Sequence, residues 1–187
     1  CIFMVFLTCL TLTEQLPHAL AESLLIGTLG FSILGFMDDL RGLSIKKRLA
    51  LQFFFALLIL YTLYPFYPLH PIAWINTLPL WFALPFILIS IIWSVNLYNF
   101  MDGSDGIASV HACVLSTTMC YLFWMQDAHA LTLITACLSL LASVFLLGFN
   151  RPGHALLFLG DSGSYFFGAI FGILALVSSN YSTITWF

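Results

Sequence analysis

Charge is what this chain has least of. Of its 187 residues, 7% are Asp, Glu, Lys or Arg, five of them basic and eight acidic. Soluble domains carry about 25% charged residues. A chain so poor in charge cannot cover a water-facing surface. With 61% hydrophobic residues and a mean hydropathy of +1.05, its principal solvent is lipid. There is no basic tract, which leaves no case for nucleic-acid binding. The five cysteines, Cys1, Cys9, Cys113, Cys120 and Cys137, form no CxxC pair and lie in apolar runs. They read as small packing residues, not as a disulfide or metal framework. An initiating Met is also missing: the chain begins at Cys1 and reads as a fragment of a longer protein. Its opening run, 1–12, reads as the tail of a membrane helix, because no small-residue cleavage site follows a basic start.

What the sequence does have is a series of apolar runs. They cover 1–12 (truncated), 19–37, 49–67, 78–95, 107–125, 130–149 and 164–179. A helix needs about 20 mostly apolar residues to cross hydrocarbon, and lipid offers no partner to open backbone groups. The expected fold is therefore all-α, a polytopic transmembrane helical bundle forming one unit over 1–187, with six full helices and a truncated first one.

The connections fall into two sets. One holds 38–48, 96–106 and 150–163; the other holds 13–18, 65–77, 126–129 and 180–187. All five basic residues, Arg41, Lys46, Lys47, Arg48 and Arg151, belong to the first set. Short basic loops stay on the cytoplasmic side, so this set should face the cytoplasm. Asp38, Asp39, Asp102, Asp105 and Asp161 share it, whereas Glu14, Glu22 and Asp127 lie elsewhere. The second set is rich in Pro and aromatics, such as Pro65 to Pro68 and Trp81-Phe82, as expected of an interfacial belt. Gly168 and Gly172 form a GxxxG pattern that reads as helix packing.

Three loops carry the chemistry. The first reads Phe36-Met-Asp-Asp-Leu-Arg-Gly-Leu-Ser44, then Ile-Lys-Lys-Arg48. Adjacent carboxylates at the end of an apolar helix repel each other unless a cation compensates. Either Asp38 and Asp39 belong to a Mg²⁺–phosphate site with Lys47 or Arg48 on phosphate, or this is a solvated helix end neutralised by its own basic neighbours. The second reads Asn96-Leu-Tyr-Asn-Phe-Met-Asp-Gly-Ser-Asp-Gly-Ile-Ala108. Asn96, Asn99, Asp102 and Asp105 recur three apart, which on a helix or tight turn puts them on one side. That suits a nucleotide or hydrated Mg²⁺; the plain alternative is an Asp-Gly turn. The third runs from Asn150 to Ser164 and contains Gly160-Asp-Ser-Gly163. It permits close backbone approach and offers free N–H groups to an anion, or else Asp161 or Ser162 simply caps the next helix. A serine-hydrolase reading of Ser162 lacks a His–Asp pair. His154 reads as an ordinary loop residue and His111 as a packing residue inside a helix.

The three loops, in this order, resemble the polyprenyl-phosphate N-acetylhexosamine-1-phosphate transferase superfamily, glycosyltransferase family 4, over about residues 35–172. The Asn99-Phe-Met-Asp-Gly103 stretch is similar to its O-antigen and common-antigen branch, with the peptidoglycan translocase more distant. The resemblance implies transfer of a sugar 1-phosphate, from a UDP-sugar such as a UDP-N-acetylhexosamine, to undecaprenyl phosphate with release of UMP. A phospho-N-acetylmuramoyl-pentapeptide transferase is the alternative. It implies Mg²⁺, with Mn²⁺ as a substitute; a UDP-sugar, a polyprenyl phosphate and the lipid bilayer as partners; no nucleic acid; and room for a homodimer. It places the protein in the bacterial plasma membrane with its site on the cytoplasmic face. Carried over by motif, Asp161 and Asp102 bind metal. Asp38, Asp39, Asp102 and Asp105 form the catalytic set, and Asn96, Asn99, Lys47 and Arg48 bind substrate. His154-Ala155 stands where the family has Pro-Ala, and Asn150 lies one residue further from Asp161 than in the family pattern. A membrane carrier would put charge at mid-membrane, which the clustering at helix ends disfavours. A truncated, non-catalytic scaffold is the other alternative.

Overall fold

In the computed structural model the residues described are 7–11, 16–63 and 80–181. A helical stretch at 7–11 (α1) precedes α2 (His18–Arg41), α3 (Ile45–Leu63), α4 (Leu80–Asp102), α5 (Ile107–Met125) and α6 (His129–Gly148). A hairpin of two two-residue strands, β1 (Asn150–Arg151) and β2 (His154–Ala155), leads to α7 (Gly160–Tyr181). The fold is the expected all-α polytopic membrane bundle, with this small hairpin as an unforeseen addition. Among the described residues, five helices are long and apolar enough to cross a membrane: α2, α4, α5, α6 and α7. The sixth candidate, α3, begins with Lys46, Lys47 and Arg48 and is described only through Leu63. The aromatic stretch from Pro65 to Pro68, together with His70, Glu14 and 182–187, lies outside the described residues.

Helix α7 is the hub. It packs along α2 on one side and α4 on the other, α3 lies against α2, and α5 and α6 pair with each other. Small residues allow these approaches. A Cβ on Gly168 would sit 2.5 Å from Val95 Cα, and the Ser94 hydroxyl donates to the Gly168 carbonyl at 2.8 Å. The GxxxG pattern is thus the α4–α7 contact, where close backbones replace the hydrophobic drive that lipid removes. Gly35 plays the same part for α2: a Cβ there would meet the Asp161 backbone and come within 2.6 Å of the Ser162 nitrogen.

The core between these helices is apolar, with Phe31, Leu34, Ile91, Tyr98 and Ile170 among its fully enclosed members. Outward residues are equally apolar, including Ile33, Trp93, Phe100 and Leu140, as lipid contact demands. Among the described residues, the buried polar side-chain atoms are paired except Gln126 Oε1. Gln52 and Asn96 exchange amide bonds between α3 and α4, at 2.9 and 3.4 Å. Buried Tyr98 shares a 2.8 Å bond with His111, which is satisfied by that contact but is exposed on α5 rather than packed inside. The four cysteines within the described residues form no disulfide with one another.

Candidate active site

The helices run further than the apolar runs that announce them. α4 continues through the polar stretch to Asp102, α2 runs to Arg41, and α7 starts at Gly160. The loops expected at 38–48 and 96–106 are therefore mostly helix ends, whereas in 150–163 only 160–163 is helical. Partners across the bundle satisfy the polar side chains, so the helix does not need to stop where hydrophobicity does. All these ends meet at one end of the bundle.

Asp38 is 7% exposed and closes the end of α2. One oxygen accepts the Leu43 amide at 2.8 Å. The other accepts Arg48 Nη1 at 3.2 Å and the Tyr165 hydroxyl at 3.4 Å. Arg48 lies before the apolar part of α3. Burial works against its charge, but Tyr165, Asp38 and Asp161 outweigh that and lift its pKa above the ordinary arginine value. Its guanidinium, about a third exposed, keeps donors for a second anion.

Asp39, exposed beside Asp38, reaches the start of α7, where it accepts the Asp161 amide at 3.3 Å and the Ser162 amide at 3.4 Å. Asp102 accepts the Leu159 and Gly160 amides at 2.9 and 2.8 Å and is 6% exposed. Gly160 turns the chain into α7 with φ at 68°, a conformation that suits glycine. Asp161 receives a short hydrogen bond from the Asn99 side-chain amide on one oxygen. Asn99 also approaches the Ser164 hydroxyl at 3.4 Å.

The structure thus brings together Asp38, Asp39, Asn99, Asp102, Asp161 and Arg48. It does not keep the three-residue series on one face. Asn96 faces Gln52 on α3, and Asp105 is exposed in the turn after α4. At 100° per residue, each step of three rotates the helix by about 60° backwards, enough to turn Asn96 from Asn99 toward another neighbour. Lys47 is exposed and outside the hydrogen-bonded cluster. His154 is exposed on the hairpin.

Two participants had weak sequence signals. Tyr165 is an aromatic in an aromatic-rich helix. Asn150, 1% exposed, accepts the Gly106 amide at 2.7 Å and the Ser109 hydroxyl at 3.3 Å, and donates to the Leu157 carbonyl at 2.9 Å. It fastens the α4–α5 turn to the segment entering α7. A buried amide opposite a Gly-rich turn is legible only once the two segments are neighbours.

Among the described residues, no three His, Cys, Asp or Glu side chains converge to hold a metal alone. Phosphoryl-transfer sites hold Mg²⁺ by one or two carboxylates, waters and substrate phosphates. Asp161 fits: its second oxygen has no hydrogen-bond partner among the described residues. Asp102, like Asp39, already accepts one amide on each oxygen and keeps further lone pairs.

Apolar helices that converge on a carboxylate cluster, with an arginine beside it, define an integral membrane protein with a polar site at one end of its bundle. The sequence profile described as Glycosyl transferase family 4 matches residues 21–179, and the chain belongs to that family. A phospho-N-acetylmuramoyl-pentapeptide-transferase of Fervidobacterium nodosum is 31% identical, the match covering 95% of this chain and 58% of the relative. The Sulfurimonas denitrificans protein of the same name is 32% identical over 80% of this chain and 50% of its own length. The chain thus spans about half the length of the curated relatives it matches.

Proposed function

We propose that this chain forms part of a membrane enzyme that transfers a sugar 1-phosphate from a UDP-sugar to polyprenyl phosphate. The observation that carries this reading is the convergence of Asp38, Asp39, Asn99, Asp161 and Arg48 at one end of a lipid-soluble bundle. A lipid phosphate and a water-soluble nucleotide sugar can meet only at such a boundary. An oxygen of the lipid phosphate attacks the sugar-bearing phosphorus of the donor, and UMP leaves with the electrons of the broken P–O bond.

Two polyanions must approach each other, so the work is positioning and charge compensation. Arg48 holds the lipid phosphate, and Asp38 orients the guanidinium. Beside it a cleft of about 350 Å³ between α3 and α4, lined by Leu49, Phe53, Ile89, Ile92 and Trp93, suits the first isoprene units. Asn99 orients Asp161, which with Asp39 nearby is the position for Mg²⁺. When bound, Mg²⁺ would neutralise phosphate charge as it develops in transfer. Exposed Lys47 and Asp105 are placed to meet the soluble donor.

The donor in this proposal is a UDP-N-acetylhexosamine, supported by the Asn99-Phe-Met-Asp-Gly103 sequence. UDP-N-acetylmuramoyl-pentapeptide is the second reading, favoured by the names of the relatives. The site faces the cytoplasm of a bacterial plasma membrane in this reading, since all five basic residues lie in the connections on the site side.

The test is UMP release by membranes containing the complete reading frame, with undecaprenyl phosphate and a panel of both donor types. Turnover should require lipid phosphate, stop with EDTA and return with Mg²⁺ or Mn²⁺. No release from any UDP-sugar by well-folded protein would reject the enzyme reading.

A further inference from the structure

The first turn of a helix has amides with no partner inside the helix, and they form its positive end. At α7 four consecutive amides, 159–162, are all accepted by carboxylates from other helices. Asp102 at the end of α4 takes the first two, at 2.9 and 2.8 Å, and Asp39 at the end of α2 takes the next two, at 3.3 and 3.4 Å. The residue just before a helix commonly accepts such amides with its side chain, and an Asp inside the first turn is drawn to the same positive end. Asp161 is such a residue, and here that work is already done from outside. Its side chain therefore turns to Asn99 and keeps an oxygen without a partner among the described residues.

The two external carboxylates are not equivalent. Asp39 is exposed and its bonds are long, whereas Asp102 is 6% exposed and its bonds are short. Asp102 also closes on the residues flanking the positive-φ turn at Gly160, which sets the direction in which α7 departs. With each oxygen on an amide, Asp102 is held by the entry to α7 through two hydrogen bonds made entirely within the protein.

We propose that Asp102 is a positioning residue: as an external cap on α7 it holds the Gly160 turn and frees the Asp161 carboxylate for the reacting phosphates. The clamp itself stands on geometry alone; its consequence for turnover rests on the function proposed above.

The experiment compares the complete wild-type protein with Asp102→Asn and Asp102→Glu, in detergent. Amide hydrogen exchange is followed by mass spectrometry in peptides covering 157–164, with EDTA and with Mg²⁺. UMP release is measured in parallel. Wild type should be protected at 159 and 160 equally with EDTA and with Mg²⁺, because the clamp is made of protein alone. Asp102→Asn loses one charge-assisted acceptor and should exchange there about tenfold faster or more, with α5 and α6 unchanged. Its kcat should fall about tenfold or more, with the KM for the UDP-sugar within about twofold of wild type. Asp102→Glu keeps charge and both acceptors and should recover part of the protection and part of kcat, which also keeps the test alive if the Asn variant fails to fold.

Unchanged exchange in Asp102→Asn, or protection that appears only with Mg²⁺, would overturn the clamp. A raised KM with kcat preserved would overturn the positioning role and make Asp102 a substrate contact. If wild type releases no UMP, the functional reading fails, and the exchange measurements still decide the clamp.

Discussion

Asp161 differs from its carboxylate neighbours in having an oxygen without a partner among the described residues, while Asp38 bonds Arg48, Tyr165 and the Leu43 amide. That difference assigns tasks. Asp161→Asn keeps the shape and the Asn99 contact on one side but removes the charge. UMP release should fall by about 10² to 10³-fold or more, the scale of losing one preorganised electrostatic group, with the melting temperature nearly unchanged. A melting temperature that collapses with activity would instead make Asp161 structural. Asn150 has the opposite profile. At 1% exposure it touches no solvent, and Asn150→Ala leaves the Gly106 amide and the Leu157 carbonyl unpaired. The expected cost is about 1–3 kcal/mol, read as a lower melting temperature in detergent, with the KM for the UDP-sugar little changed. A KM effect without loss of stability would place Asn150 on the substrate.

At the scale of elements, the site depends on how closely α7 approaches its neighbours. Gly168 meets Val95 across α4, and Gly35 meets the backbone at Asp161 across α2. Both positions oppose backbone, which cannot swing aside as a flexible side chain can. Gly168→Leu should therefore push α4 and α7 apart, at a cost of about 1–3 kcal/mol from overpacking. Asn99 rides on α4 and Asp161 on α7, so their hydrogen bond should break and activity should fall even in protein that still folds. Leu at Gly148, where an added Cβ meets nothing within 4 Å, is the control and should leave both stability and turnover near wild type. Equal behaviour of the two variants would show that the α4–α7 spacing does not govern the site.

At the scale of the whole molecule, the connections sort by side. The α2–α3, α4–α5 and α6–α7 connections meet at the site end, and the α5–α6 turn lies at the other. With native cysteines replaced, Lys47→Cys should react with a membrane-impermeant maleimide only in inside-out vesicles. His129→Cys, at the start of α6, should react only from the outer face. Both residues are exposed, so failure to label would not come from burial. The reverse pattern would put the site outside and remove the cytoplasmic UDP-sugar pool from consideration.

The sequence by itself determined the solvent, the number and approximate placement of the described apolar helices, and the sorting of polar residues to one end. These follow from hydropathy and from the cost of charge in lipid, both properties of single segments. Ile107 to Met125 was legible to the residue, because apolar run and helix coincide there. The tertiary structure decided what the polar residues do with one another. The helical reach of α4 to Asp102, the turning of Asn96 toward Gln52, the isolation of Asp105 and the capping of α7 by Asp39 and Asp102 all depend on partners distant in sequence. A one-dimensional pattern of Asn and Asp every three residues predicts a shared face. Only packing against α3, α5 and α7 decides which of those residues meet a helix end, which meet an amide and which are left for the phosphates.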